Sequence, residues 1–253
     1  MSTDLKIYCE KHKFTYSDFD IYDRIVPSVL LRLCQDIAGR HSEFAHVGYH
    51  DLLDQGALWI ISKMYFKLLG KIEYGKEYTI KTWAHKKRLI YFPREYEICD
   101  ENGEKVMIGI SMWHIFSLRE RKILNPATLN LANFDDFNVE YSNFDSTNIL
   151  FSKELENFEG EKVISHLVTY TELDHNHHMN NTHYADLALD SIPDILEINR
   201  DLNELKILFL SECSKGDIIN TLYMKDGSEH NIRGVRDDGT NVFVACFNFK
   251  GEN

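Results

Sequence analysis

The chain carries two copies of one short pattern, and that duplication limits its architecture more than any other feature. Residues 14–20 read FTYSDFD and residues 168–174 read VTYTELD, an offset of 154. In each, Thr-Tyr is followed by a hydroxyl residue, an acid, an apolar residue and Asp. Each copy then enters a helical pattern. In the first, Ser28 follows Pro27 and precedes Leu30, Leu33, Cys34, Ile37 and Ala38, the spacing of one buried helix stripe. In the second, Asn181 and Thr182 precede Tyr184, Ala185, Ala188 and Ile192. Ser, Thr and Asn are good N-caps, so both helices have a start signal. The shared order is strand, loop, helix.

Runs rich in β-branched and aromatic residues follow each helix. After the first come 57–69, 76–100 and 105–124; after the second come 204–213, 218–227, 229–238 and 240–249. Turn signals at Asn102-Gly103, Asp226-Gly227 and Asp238-Gly239 suit antiparallel hairpins. The expected fold class is α+β, a tandem duplication in which each half wraps an antiparallel sheet around one long helix. The domains are expected at 1–129 and 163–253. Between them, residues 130–162 hold eight Asp/Glu against two Lys and read as an acidic linker.

Composition narrows the function. Of 253 residues 43% are hydrophobic, ample for a core, and the formal net charge of −12 argues against nonspecific nucleic-acid binding. Five widely spaced cysteines without a CxxC pair read as reduced thiols. The N-terminal stretch has no signal or transit character, and no apolar run is long enough to span a membrane, so the expected location is cytoplasmic.

The two strand-to-helix loops differ in their chemistry. The first reads DIYDRIVP (20–27), the second DHNHHMNN (174–181). Asp20 matches Asp174, whereas Asn176 is matched by Tyr22 and His178 by Arg24. Structural roles should persist in both copies, but chemistry needs one site per chain. In extended backbone Asp174, Asn176 and His178 would share a face, with His175 and His177 opposite. A carboxylate, an amide and an imidazole beside a helix N-terminus suit attack on a carbonyl, because the helix end favours a developing anion. His175, His177, His178 and His183 lack the accompanying Cys or carboxylate spacing of a zinc site, so no metal is expected.

LDHNHHMNN resembles the D-x-N-x-H-x-N-N motif of hotdog-fold thioesterases. The duplication, with Ser211-Glu212-Cys213 about 35 residues later, resembles the acyl-acyl-carrier-protein thioesterases in particular. The segments around Trp59, Trp83 and Trp113 resemble the first hotdog domain of that family. The resemblance covers nearly the whole chain. It implies tandem hotdog domains, the first a substrate-binding domain with a degenerate site and the second carrying the catalytic loop. The family's active-site Asp, Asn and His fall on Asp174, Asn176 and His178, and its Glu-Cys pair on Glu212 and Cys213. Adjacent strand residues face opposite ways, which favours Glu212 over Cys213 as the functional member. The implied activity is hydrolysis of a fatty acyl thioester on the phosphopantetheine arm of acyl carrier protein, with no cofactor. Lacking a transit peptide, the chain resembles a bacterial-type soluble enzyme. Water activation by His178 or a carboxylate and a covalent route through Asp174 both stay open, as do monomer and homodimer. An acyl-CoA thioesterase or a non-catalytic acyl-thioester-binding protein are the alternative readings.

Overall fold

Each half begins on an edge strand and turns sharply into its helix. The structure, a computed structural model, describes residues 6–126, 129, 137–144, 156–198 and 200–251. The chain divides into two compact units, one of residues 1–25 and 30–148, the other of residues 26–29 and 149–253.

In the first unit β1 (Ile7–Lys13) leads to α1 (Pro27–Phe44), which belongs to this unit from Leu30 onward, and to a short α2 (Tyr49–Leu53). There follow β2 (Ala57–Leu68), β3 (Glu77–Ala84), β4 (Phe92–Cys99), β5 (Lys105–Ser117) and β6 (Lys122–Ile123). Their order across the sheet is β1-β3-β4-β5-β2, with β6 beside β5. In the second unit β7 (Glu161–Leu167) leads to α3 (Asn181–Asp190), then β8 (Leu202–Phe209), β9 (Ile218–Asp226), β10 (Glu229–Arg236) and β11 (Asn241–Phe249). The order there is β7-β9-β10-β11-β8. The two orders are the same, and every ladder within each unit is antiparallel. Each unit is the hotdog arrangement of one sheet around one principal helix.

The helices bury the residues their spacing marks. Leu30, Leu33, Cys34, Ile37 and Ala38 are buried on α1, as are Tyr184, Ala185 and Ala188 on α3. The Tyr184 ring lies against Phe209 and Phe243 of the second sheet, at 6.1 and 5.4 Å between centroids. Each buried Leu or Ile contributes about 1.5–3 kcal/mol relative to exposure.

Several expectations need correction. The repeated heptad forms a single 3-10 turn after each edge strand, Tyr16–Asp18 and Tyr170–Glu172, not a strand. The reason lies in its own residues. The Thr15 and Thr169 backbone N–H groups donate to Asp18 and Glu172 at 2.7 and 2.6 Å, and each Thr hydroxyl donates to the same carboxylate at 2.9 Å. The acid three residues past Thr closes the chain on itself. Helix α1 starts at Pro27, one residue before Ser28, because proline at the first helical position has no N–H left to satisfy. The run 76–100 holds two strand stretches, joined by a loop at 85–91 that carries Lys86, Lys87 and Arg88, as the sequence suggests.

Of the segment read as a linker, 130–136 and 145–155 lie outside the described residues. Residues 137–144 pack on the first sheet. There Glu95, fully buried on β4, accepts from Asn143 N–H at 2.8 Å, Asn143 Nδ2 at 3.2 Å and Ser142 Oγ, and meets His85 Nε2 at 2.8 Å. Residues 161 and 162 already belong to β7.

Glu95 therefore ties this strap down. Glu95→Ala would strand several buried donors and should lower the unfolding free energy by about 3 kcal/mol. Urea denaturation would show it as a lower midpoint at unchanged slope.

Candidate active site

The loop before α3 is built by one side chain. Asp174 Oδ1 accepts from the backbone N–H of Asn176 at 2.7 Å and of His178 at 3.4 Å, while Asp174 N–H donates to the His178 carbonyl at 2.8 Å. The chain is thus a tight turn and not the extended segment expected, and His177 sits at φ +65° to close it. Asp and His are among the side chains that tolerate this left-handed region best. Even so, His175 and His177 are exposed while Asp174, Asn176 and His178 are half-buried.

The first unit contains the same turn. Asp20 Oδ1 accepts from Tyr22 and Arg24 N–H at 2.9 and 3.0 Å, Asp20 N–H donates to Arg24 O at 2.8 Å, and Asp23 sits at φ +55°. There the second Asp20 oxygen is taken by Arg24 Nε at 2.7 Å, and the Arg24 guanidinium stacks 4.7 Å from the Tyr22 ring. In this loop the aspartate is engaged by the loop's own side chains.

Met179 N–H donates to Cys213 O at 2.8 Å, and His178 bridges Ser214 in antiparallel fashion. These bonds bring the loop between β8 and β9 alongside. His178 Nδ1 then lies 3.3 Å from Glu212 Oε2, with 33% of the His178 side chain and 53% of the Glu212 side chain exposed. Cys213 is fully buried. The two neighbours face opposite ways, acid outward and thiol inward. Burial raises the Cys213 thiol pKa, so the thiolate is disfavoured.

Asn180 caps α3, its side chain accepting from Thr182 N–H at 2.9 Å. The Asn181 N–H has no intramolecular acceptor among the described residues. That donor at the positive end of α3 is available to an anion. Among the described residues no group of His, Cys, Asp or Glu could hold a metal. His183 is turned to Asp186, at 3.9 Å, on its own helix.

The structure adds Arg236, at the end of β10, which donates to the Glu212 carbonyl at 3.1 Å. No local sequence signal marks it, because only the pairing of β9, β10 and β11 brings it to the loop.

A family model for the N-terminal domain of acyl-ACP thioesterases matches residues 5–127, and one for the C-terminal domain matches residues 155–242. Among curated proteins the chain is similar to an oleoyl-acyl carrier protein thioesterase of Arabidopsis thaliana (21% identical, 91% of this chain, 67% of that one). A second relative, from Coriandrum sativum, is 22% identical over 85% of this chain and 62% of its own length, so the chain spans about two thirds of these plant relatives. Its fold is similar to that of an acyl-ACP thioesterase from Bacteroides thetaiotaomicron, with a TM-score of 0.87 at 19% identity over 99% and 100% of the two chains. It is also similar to the 12:0-ACP thioesterase of Umbellularia californica, with a TM-score of 0.74 at 14% identity over 96% and 97%.

The buried thiol gives a direct readout. Of the five cysteines Cys9 is exposed and Cys34, Cys99, Cys213 and Cys246 are buried. A thiol reagent at neutral pH should titrate one group in the folded protein and all five in denaturant. Rapid modification of Cys213 in the folded state would contradict the inward orientation.

Proposed function

Because this chain belongs to the acyl-ACP thioesterase family, we propose that it hydrolyses fatty acyl thioesters carried on acyl carrier protein and releases the free fatty acid. The observation that carries the assignment of the site is the pairing of His178 with Glu212, which only the second repeat has the residues to make. With Nδ1 turned to the carboxylate, Nε2 is left to take a proton from water, and the imidazolium that forms is stabilised by Glu212. Asn176 orients the water or the thioester carbonyl. The Asn181 N–H receives the developing oxyanion. Asp174 accepts from the backbone of its loop just as Asp20 does from its own, which favours a loop-holding role over a nucleophilic one. The thioester is already an activated acyl group, so the chemistry rests on the side chains of the site and the backbone N–H at the start of α3.

Free-thiol release from a panel of acyl-carrier-protein and acyl-CoA thioesters tests the reading. His178→Ala, Asn176→Ala and Glu212→Gln should each lower kcat on the order of 10²-fold or more. Cys213→Ala should keep substantial activity, and Arg24→Ala should stay within a few fold of the parent. An acyl group trapped on Cys213 in a single turnover would overturn this division. One turnover in ¹⁸O-water should place label in the released acid and none in Asp174.

A carrier protein is acidic, and so is this chain, so docking needs a local basic surface. In the first unit Lys86, Lys87 and Arg88 lie in the loop 85–91, whose tip is closed by the Arg88–Tyr91 bridge and carries Leu89, 88% exposed. Arg119 and Arg121 are exposed in the turn after β5. The register Phe92–Trp113 and the Tyr91–His114 ring contact put both clusters at one end of the sheet. Lys122 is paired with Glu120 at 2.7 Å and contributes less. Reversing Lys87 and Arg88 to Glu should raise KM for acyl-carrier-protein substrates, less so at high salt, and leave a neutral acyl-pantetheine nearly unchanged. Equal effects on both substrates would make the cluster part of the pocket or the scaffold.

A further inference from the structure

Glu212 can face His178 only if the loop that carries it is held, and that loop has no regular structure of its own. Its ends are fixed by the sheet, since Leu210 and Ser211 N–H donate to Val242 O and Gly216 N–H donates to Val168 O. Between these points the peptide of Glu212 is held from outside by Arg236. One guanidinium nitrogen donates to the Glu212 carbonyl at 3.1 Å and lies 3.7 Å from Asp217 Oδ2, while Nε and the other terminal nitrogen donate to Asp238 Oδ2 at 3.0 and 2.7 Å. Asp217 Oδ2 in turn accepts from Ser214 N–H at 2.8 Å, and Ser214 bridges His178. The guanidinium therefore reaches both members of the pair through bonds to the loop.

The first unit provides an internal control. Its loop after β2 makes the same end bonds, Leu69 and Gly70 to Val106 O and Gly75 to Phe14 O, which aligns Lys71 with Glu212, Ile72 with Cys213 and Lys76 with Asp217. Its hairpin bonds, Asp100 N–H to Glu104 O and Gly103 N–H to Asp100 O, match Arg236 to Thr240 and Gly239 to Arg236. Asp100 thus occupies the place of Arg236. The same loop and the same hairpin form there without an arginine. The fold does not require one at this position; the copy that keeps the acid and the imidazole is the copy that has it.

We propose that Arg236 is a positioning residue, which sets Glu212 against His178 by holding the Glu212 peptide between the loop and the β10–β11 hairpin. The proposal rests on the hydrolytic reading of that pair. The anchor is durable: the hydrogen bond from Arg236, followed by those from Thr240, keeps the Asp238 carboxyl well below the usual carboxylate range, so the Arg236–Asp238 pair stays charged through any neutral working pH. Arginine suits the task because its planar fork binds a carboxylate and a carbonyl at once, which a lysine ammonium does with less directional control.

The test uses Arg236→Gln, Arg236→Lys, Glu212→Gln and the double change Arg236→Gln with Glu212→Gln, each assayed for kcat and KM on one acyl thioester and solved as a crystal structure. Arg236→Gln should lower kcat about 10-fold or more while KM stays within about 3-fold, since a misplacement near 1 Å is that costly to an oriented group. Arg236→Lys should recover part of the loss. In the Glu212→Gln background the Arg236 change should cost almost nothing further, because its effect runs through Glu212. An additive loss in the double variant, or equal loss with Lys and Gln, would make Arg236 a scaffold residue and overturn the proposal. The crystal structure decides independently of activity. Glu212 should leave hydrogen-bond range of His178 in Arg236→Gln, and an unchanged pair would overturn the proposal. Absence of thioester hydrolysis in the parent protein would defeat the functional reading and leave this structural arm intact. If Arg236→Gln does not fold, Asp238→Asn, which loosens the outer anchor, should shift the same readouts by less; no shift at all would count against it.

Discussion

One carboxylate oxygen organises the site. Asp174 Oδ1 collects two backbone N–H groups, and the turn they close delivers the chain to the first residue of α3. A carboxylate bound to backbone donors is a stronger anchor than a neutral acceptor, which offsets the roughly 1–3 kcal/mol of holding a non-glycine residue at positive φ. Because the bonds are to backbone, they do not specify the side chains at 176 and 178. The same turn holds Tyr22 and Arg24 in one copy and Asn176 and His178 in the other.

That independence lets duplicated loops diverge without loss of fold. Three aligned positions differ together: His178 against Arg24, Glu212 against Lys71 and Arg236 against Asp100. At each one the charge character changes. A histidine at 24 would free Asp20 of its guanidinium without gaining a carboxylate partner at 71, because position 71 is a lysine. An arginine at 100 would have no acid at 71 to place. The two units thus carry different side-chain sets on the same backbone.

The repeats, the helix stripes and the hairpin glycines were legible because they are local signals whose period matches the backbone that forms. The heptad misled because Thr followed three residues later by Asp18 or Glu172 is a closing device for a turn, and that bond outweighs the strand propensity of Phe14, Tyr16 and Phe19. The burial contrast between Asp174, Asn176 and His178 and their exposed neighbours His175 and His177 matches the alternation, although the backbone is a turn and not an extended strand. The family motif names both His178 and Glu212, but no spacing along the chain pairs them, because the pairing depends on the bridge from His178 to Ser214. Arg236 was invisible for the same reason. Its distance from Glu212 along the chain is spanned by two strands, and a register cannot be read from one side chain.

The place of Cys213 follows from packing. In the other copy the aligned residue is Ile72, buried like Cys213, and both follow a β-strand whose next residues bond to the neighbouring strand through the same pair of amides. The position asks for an apolar plug under the loop, and a protonated thiol is a small apolar side chain. Inserting that plug fixes the direction of its neighbour, because consecutive residues in near-extended chain point opposite ways. The acid at 212 is therefore turned outward, toward the imidazole, by the inward anchoring of 213. A cysteine beside a carboxylate can look like a second functional group in sequence; in this fold the thiol is buried and the acid is exposed.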